Sequence, residues 1–188
     1  ERIQLLKDVN KIKKDTNYVA LCYKYGLFYE GIRNDSAVYY YERARDISRE
    51  LGYISGQIRY YDYRSMVYII ESNYDTALLL MDTAYKMAVK HNSLRWQAIE
   101  LNQQGTIYQY KNLMNTAADY YLKSFRIAEQ IKDTQILASV SGNLSGVFVE
   151  VKDYEKSRYF STYNYELAEA RHDTLSMGYA LVNLSVDD

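Results

Sequence analysis

Residues 101–128, LNQQGTIYQYKNLMNTAADYYLKSFRIA, decide the fold. Leu101, Gln104, Gly105 and Tyr108 fall at i, i+3, i+4 and i+7, the spacing of one helix face. After Lys111-Asn112-Leu113, a break too short for a strand and sited like a turn, Met114, Ala117, Tyr121, Ser124 and Ala128 take up the same periodicity. The stretch reads as a helical hairpin. Its small residues have a common reason: antiparallel helices approach closely only where neither carries bulk at the crossing.

The hairpin recurs along the chain at a spacing of 40 residues. Ala37, Ala77, Ala117 and Ser157 share a column, as do Ser48, Ala88, Ala128 and Ala168, and as do Ile47, Met87, Ile127 and Leu167. A column of small residues runs Ser65, Gly105, Ser145 and Ser185, joined by Gly26 once a one-residue deletion is allowed. A helical unit repeated in this way cannot bury its faces alone and stacks on its neighbours. The expected fold class is all-α, a right-handed α-solenoid of antiparallel hairpins.

The joints set the expected boundaries. Lys132-Asp133-Thr134 and His172-Asp173-Thr174 are near copies, and Lys14-Asp15-Thr16 resembles them. Asp or Thr there can cap the following helix, His91-Asn92-Ser93 holds the same place in the second joint, and Gly52 ends the helix before the first joint. The units are thus 15–52, 53–92, 93–132 and 133–172, with 173–188 as the first helix of a partial fifth. Residues 1–14, with Ile3, Leu6, Val9 and Ile12 on one stripe, are expected to form a cap or the end of a preceding hairpin. The chain opens at Glu1 without Met and closes in mid-repeat, as expected of part of a longer protein.

Composition excludes several classes. Of 188 residues 48% are hydrophobic and 25% charged, with net charge -1, which argues against disorder and against a general attraction to nucleic acid or anionic membrane. No apolar run approaches the roughly 18 residues of a membrane-spanning helix. The segment is expected to be a soluble domain, cytoplasmic or periplasmic or part of a membrane-anchored protein. Cys22 is the single cysteine, so no internal disulfide can form and redox compartment stays open. Proline is absent, which removes the main interruption to long helices.

The pattern resembles the tetratricopeptide repeat. Leu101, Gln104-Gly105, Tyr108, Ala117, Tyr121 and Ser124 carry the resemblance best. The second unit offers Tyr61, Arg64-Ser65, Tyr68, Tyr74, Ala77, Met81 and Ala84, the fourth Leu144-Ser145, Phe148, Tyr154 and Ser157, and the first Tyr25-Gly26, Tyr29, Ala37, Tyr41 and Ala44. It covers residues 16–188. Two departures stand out: a unit of 40 residues against roughly 34 in the family, and Arg49, Val89, Glu129 and Glu169 where the family has proline. The second helix is therefore expected to run longer. Units this long look like those of bacterial sensor and regulator proteins, where the array is joined to a kinase or DNA-binding domain.

An enzyme reading finds little support. His91 and His172 end second helices two units apart and read as turn residues; no metal site or cofactor is expected. Cys22 sits in the inward column beside Gly26, as a small buried hydrophobe does. Gly142-Asn143-Leu144-Ser145-Gly146 lies inside an expected helix, so it is close packing rather than a phosphate cradle. The glycosylation-like triplets Asn143-Leu144-Ser145 and Asn183-Leu184-Ser185 are expected helical and partly buried, and are discounted.

The 23 tyrosines divide into two sets. Tyr29, Tyr68 and Tyr108 occupy one inward column, Tyr85, Phe125 and Tyr165 another, and packing accounts for them. Tyr23, Tyr63, Tyr110 and Tyr179 fall off those columns, at offsets that in tetratricopeptide arrays face the concave groove. Exposed aromatics supply contact area at little entropic cost. A groove column runs Lys24, Tyr63, Gln103, Asn143 and Asn183, whose amides could bond the backbone of an extended peptide. With Leu27, Arg59, Asp62, Met66, Asn102 and Thr106 from the same faces, these make the candidate partner-binding set. The carboxylate clamp of chaperone-tail adaptors does not fit, since its places hold Tyr23 and Leu27, Tyr63, and Ile99 with Gln103.

The expected function is a non-catalytic protein or peptide scaffold using the concave groove. The rival is a sensory or regulatory input domain of a bacterial signal-transduction or transcription regulator, marked by a well-formed apolar pocket in that groove. Self-association through exposed terminal helices, where Leu181 and Leu184 form an apolar stripe, is a third expectation.

Overall fold

The computed structural model describes residues 14–185, and the expected helix of residues 1–14 lies almost wholly outside them. Within them the chain forms nine helices: α1 (Thr16–Tyr29), α2 (Asn34–Glu50), α3 (Ile54–Ile70), α4 (Tyr74–Lys90), α5 (Leu94–Tyr110), α6 (Met114–Ile131), α7 (Thr134–Glu150), α8 (Tyr154–Ala170) and α9 (Thr174–Leu184). The fold is all-α, as the periodicity predicts.

Every connection is two to four residues long, and almost all are built alike. Gly52, Ser72, Asn92, Asn112, Lys132, Lys152 and His172, 20 residues apart, each take a positive φ, and the amide that follows each one returns to a carbonyl in the preceding helix. Asn73 donates to Tyr68, Leu113 to Tyr108 and Asp153 to Phe148, the long bond of a Schellman cap that satisfies otherwise orphaned carbonyls. His172 and His91 are thus both turn residues. The turn within a hairpin and the joint between hairpins are one device. Arg49, Val89, Glu129 and Glu169 sit in last helical turns. Second helices run 17 or 18 residues, beside first helices of 14 residues in α1 and 17 in α3, α5 and α7.

Four of the described helices are capped by aspartate. Asp15 accepts from the amides of Asn17 and Tyr18, Asp133 from Gln135 and Ile136, Asp153 from Lys156 and Asp173 from Ser176. The threonine of each Lys/His-Asp-Thr joint is instead the first helical residue. Ser93, at the equivalent place, makes no side-chain cap.

The chain comprises two compact units, residues 1–87 and 88–188. In the first, α1 packs on α2, α2 on α3 and α1 on α3, around Tyr18, Val19, Cys22, Tyr23, Ala37, Tyr41, Ala44 and Ile47. In the second, α5 packs on α6, α6 on α7, α7 on α8 and α8 on α9, while the first helices α5, α7 and α9 also meet in sequence. Its core holds Ala98, Ala117, Tyr121, Phe125, Ala128, Leu144, Val147, Phe148 and Phe160.

The small-residue column has a definite partner in three of the hairpins. A Cβ added to Gly105 would lie 2.6 Å from the ring of Tyr121, and one added to Gly26 would meet the ring of Tyr41. Where the first helix carries Ser145 instead, the facing residue is Ser161, and the two hydroxyls are hydrogen-bonded. Glycine faces tyrosine and serine faces serine, so the crossing keeps a filled volume. The same tyrosines reach the end of the first helix: Tyr121 donates to Gln109 at 2.9 Å, and Tyr41 donates to the carboxylate of Glu30 at 3.3 Å.

The core aromatics are only in part the ones the periodicity singled out: Tyr121 and Phe125 are buried as expected. Tyr29, Tyr68, Tyr108, Tyr85 and Tyr165 are only half-buried, whereas Tyr18, Tyr23, Tyr41 and Tyr121 are buried completely. Tyrosine 29, 68 and 108 fall near first-helix C-termini, where the turn opens to solvent.

Candidate functional site

In the second unit three stripes share one surface. On α5, Ile99, Gln103, Thr106 and Tyr110 follow at i, i+4, i+7 and i+11. On α7 the equivalent positions are Ser139, Asn143 and Gly146, and on α9 they are Tyr179 and Asn183. The edges are open, with Tyr110 58% and Tyr179 64% exposed, and the middle is half-buried.

Amides tie these helices side by side. Asn143 donates its side-chain N–H to Asn102 at 3.0 Å, Asn102 to Ser139 at 3.4 Å, and Asn183 to Ser145 at 2.8 Å. The Thr106 hydroxyl lies 3.1 Å from that of Tyr121 and donates to the carbonyl of Asn102. Of the candidate set, then, Asn102 and Thr106 are engaged in packing, and Asn143 and Asn183 register one first helix on the next. Gln103 lines a cavity of about 220 Å³ between α5 and α7, with Arg95, Ile99, Gln135, Ile136 and Ser139 around it. Arg95 is held there by Asp133 at 2.9 Å and Gln135 at 3.3 Å. A Cβ built on Gly146 meets nothing within 4 Å, so the floor of this surface at α7 is open.

The first unit treats its candidates differently. Lys24 and Leu27 are exposed, Tyr63 and Met66 half-buried, and Asp62 buried. Tyr23 overturns the expectation of an exposed groove aromatic: it is 2% exposed and donates to the carbonyl of Gly56 at 2.7 Å, tying α1 to α3. Arg59 stands 5.8 Å over its ring and Tyr63 meets it edge-on at 5.2 Å. Burial pushes the Tyr23 phenol far up. The cause is the one-residue deletion between Gly26 and Ala37, which puts Tyr23 in the buried column of Asp62 and Asn102 and leaves Lys24 as the counterpart of Tyr63.

Groups of catalytic type are quenched. Cys22 is fully buried, and burial pushes its thiol up to about 11, so no thiolate forms near neutrality. Burial likewise pushes Tyr121 up to about 12. Among the described residues no group of three His, Cys, Asp or Glu is placed to hold a metal, and no helix is long and apolar enough to cross a membrane.

Residues missed in the sequence are Arg95, Gln135, Ser139 and Gly146. The signal was present, since Ser139 and Gly146 occupy the same columns as Ile99 and Thr106.

The geometry is that of a tetratricopeptide-type helical repeat, and solved structures with this fold align over nearly all of the chain. Aspartyl phosphate phosphatase F from Bacillus subtilis superposes with a TM-score of 0.82 at 13% identity, covering 93% of this chain and 46% of that one. A Signal Transduction ATPase with Numerous Domains carrying a tetratricopeptide repeat sensor, from Pyrococcus horikoshii, gives 0.69 at 18% identity, covering 96% and 29%. A Podosopora anserina putative kinesin light chain with nearly identical TPR-like repeats gives 0.67 at 10%, covering 93% and 89%. The chain spans about half the length of the first of these. No protein-family model and no curated protein matches it by sequence. At such identities the likeness carries the fold alone.

Proposed function

We propose that this chain is a non-catalytic protein-binding scaffold whose second unit takes an extended peptide across α5, α7 and α9. The observation that carries the reading is the open stripe at Gly146, flanked by half-buried amides and exposed Tyr110 and Tyr179. Amides beside an open floor suit a peptide backbone, and the rim tyrosines suit side-chain contact. The cavity of about 220 Å³ at Gln103 is smaller than the roughly 300 to 1,000 Å³ of small-molecule sites, which favours a peptide over a metabolite. The neighbours named as a phosphatase of aspartyl phosphate and as a repeat sensor make a regulatory setting the natural one for such a scaffold.

Gly146 supplies the test. Because its Cβ position is open, Gly146→Ala is expected to raise stability by about 0.5 to 1 kcal/mol, the usual gain over glycine in a helix. Gly146→Trp is expected to fold equally well but fill the groove. Peptides selected on the parent from a random display library should bind Gly146→Ala as before and Gly146→Trp about tenfold more weakly or worse, read by calorimetry. Equal binding to Gly146→Trp removes the groove from the function.

A further inference from the structure

The second unit carries another concave surface, on α8 and apart from the amide-lined stripe. A groove of about 660 Å³ is lined by Tyr154, Glu155, Arg158, Tyr159, Tyr163 and Glu166, with Thr162 between the rings. Glu155, Tyr159, Tyr163 and Glu166 follow at i, i+4, i+8 and i+11, so rings and carboxylates share one stripe. Tyr159 is 58% exposed, and its ring lies 6.5 Å from that of Tyr163, with an interplanar angle of 29°. Tyr163 is anchored edge-on against Phe125 at 5.3 Å, which fixes the pair on the helix.

We propose that this groove binds a cationic segment of a partner protein, lysine or arginine side chains lying over Tyr159 and Tyr163 between Glu155 and Glu166. Aromatic faces attract cations through their quadrupole, and a carboxylate beside the face adds charge without covering it. This unit already uses that contact, with Lys123 over Tyr120 and Lys156 over Phe148. Among the described residues no such cation covers Tyr159 or Tyr163. The charges beside the rings are negative: after burial, Glu129 of α6 and also Glu166 raise the Tyr163 phenol. The groove holds two carboxylates against one guanidinium, so a basic segment complements it and an acidic one does not. The inference does not depend on the peptide groove, and Gly146→Trp leaves it intact.

The experiment titrates the isotope-labelled chain with a short oligolysine peptide and, separately, with the same peptide acetylated on every side chain. Oligolysine is expected to shift amides of Tyr154–Glu166 selectively, with binding weakened by salt. The acetylated peptide should leave them in place. Tyr159→Leu keeps apolar area but loses the π face, and is expected to weaken binding about two- to fivefold, while Tyr159→Phe keeps parent affinity. Glu166→Gln should weaken it by a similar factor. All three changes sit on exposed or partly exposed positions, and circular dichroism checks the fold. Parent-like binding by both Tyr159→Leu and Glu166→Gln overturns the proposal, as do equal binding of the acetylated peptide and shifts spread over the whole acidic surface.

Discussion

Gly105 and Tyr121 make one volume between them, and a substitution at either is felt at the other. Any side chain at 105 enters the ring of Tyr121, so Gly105→Ser is expected to cost about 1 to 3 kcal/mol as overpacking. Tyr121→Ser leaves a cavity and the lost bonds to Thr106 and Gln109, on the order of 3 to 5 kcal/mol. The double variant recreates the Ser145 and Ser161 pairing of the next hairpin. Its cost in urea melts should fall short of the sum of the singles by about 1 kcal/mol or more, and strict additivity would show that the two do not share a seat. The small column was legible in the sequence because glycine and serine recur there; its facing residue was not, since Tyr, Met and Ser in one column look unrelated until size is seen to compensate. Tyr23 shows a different obstacle. A single deletion turns a helix by about 100°, so a residue at the expected offset from the turn faces the neighbouring helix instead of solvent.

At the scale of the helix and its ends, the aspartate caps were legible and the C-caps mostly were not. The repeated Asp-Thr joint announces an N-cap by its chemistry, whereas in the 20-residue series Gly52, Asn92 and Asn112 carry residue types that a left-handed position favours, and Ser72, Lys132 and Lys152 do not. Lys132 has φ 55, a conformation costly for a residue with a Cβ, so Lys132→Gly is expected to stabilise by about 0.5 to 1 kcal/mol despite glycine's greater freedom when unfolded. A shift of the urea midpoint downwards would show that the Lys132 side chain contributes more than its backbone strain costs. The cap at Asp173 carries a pH signature. The Ser176 hydroxyl, then the Ser176 amide, hold its carboxyl below the ordinary value. A depressed folded pKa means the cap's contribution is complete above the unfolded value near about 3.9 and is lost as pH falls through the lower folded one. Amide exchange at the start of α9 should therefore rise only in strongly acidic solution, and Asp173→Asn should flatten that dependence; a carboxyl titrating by NMR at the ordinary value would end the argument.

Across the whole molecule the two cores draw on separate residues, α1 to α3 for the first and α5 to α8 for the second. Repeat arrays couple through neighbours, so a core lesion is expected to loosen the hairpins around it before the rest. Tyr121→Ser removes the largest fully buried side chain of the second core, and Tyr41→Ser does the equivalent in the first, where Tyr41 fills the seat of Gly26. In hydrogen exchange followed by mass spectrometry, Tyr121→Ser should accelerate peptides from α5 through α8 while the slowest amides of α1 through α3 keep parent rates. Tyr41→Ser should give the mirror result. The pair matters because either variant alone could reflect one weak region that opens first whatever is damaged. Reciprocal patterns show that protection follows the lesion, as a stack of units requires. If both variants instead accelerate α1 through α8 together, unfolding is a single cooperative event and the chain behaves as one globule despite its repeat.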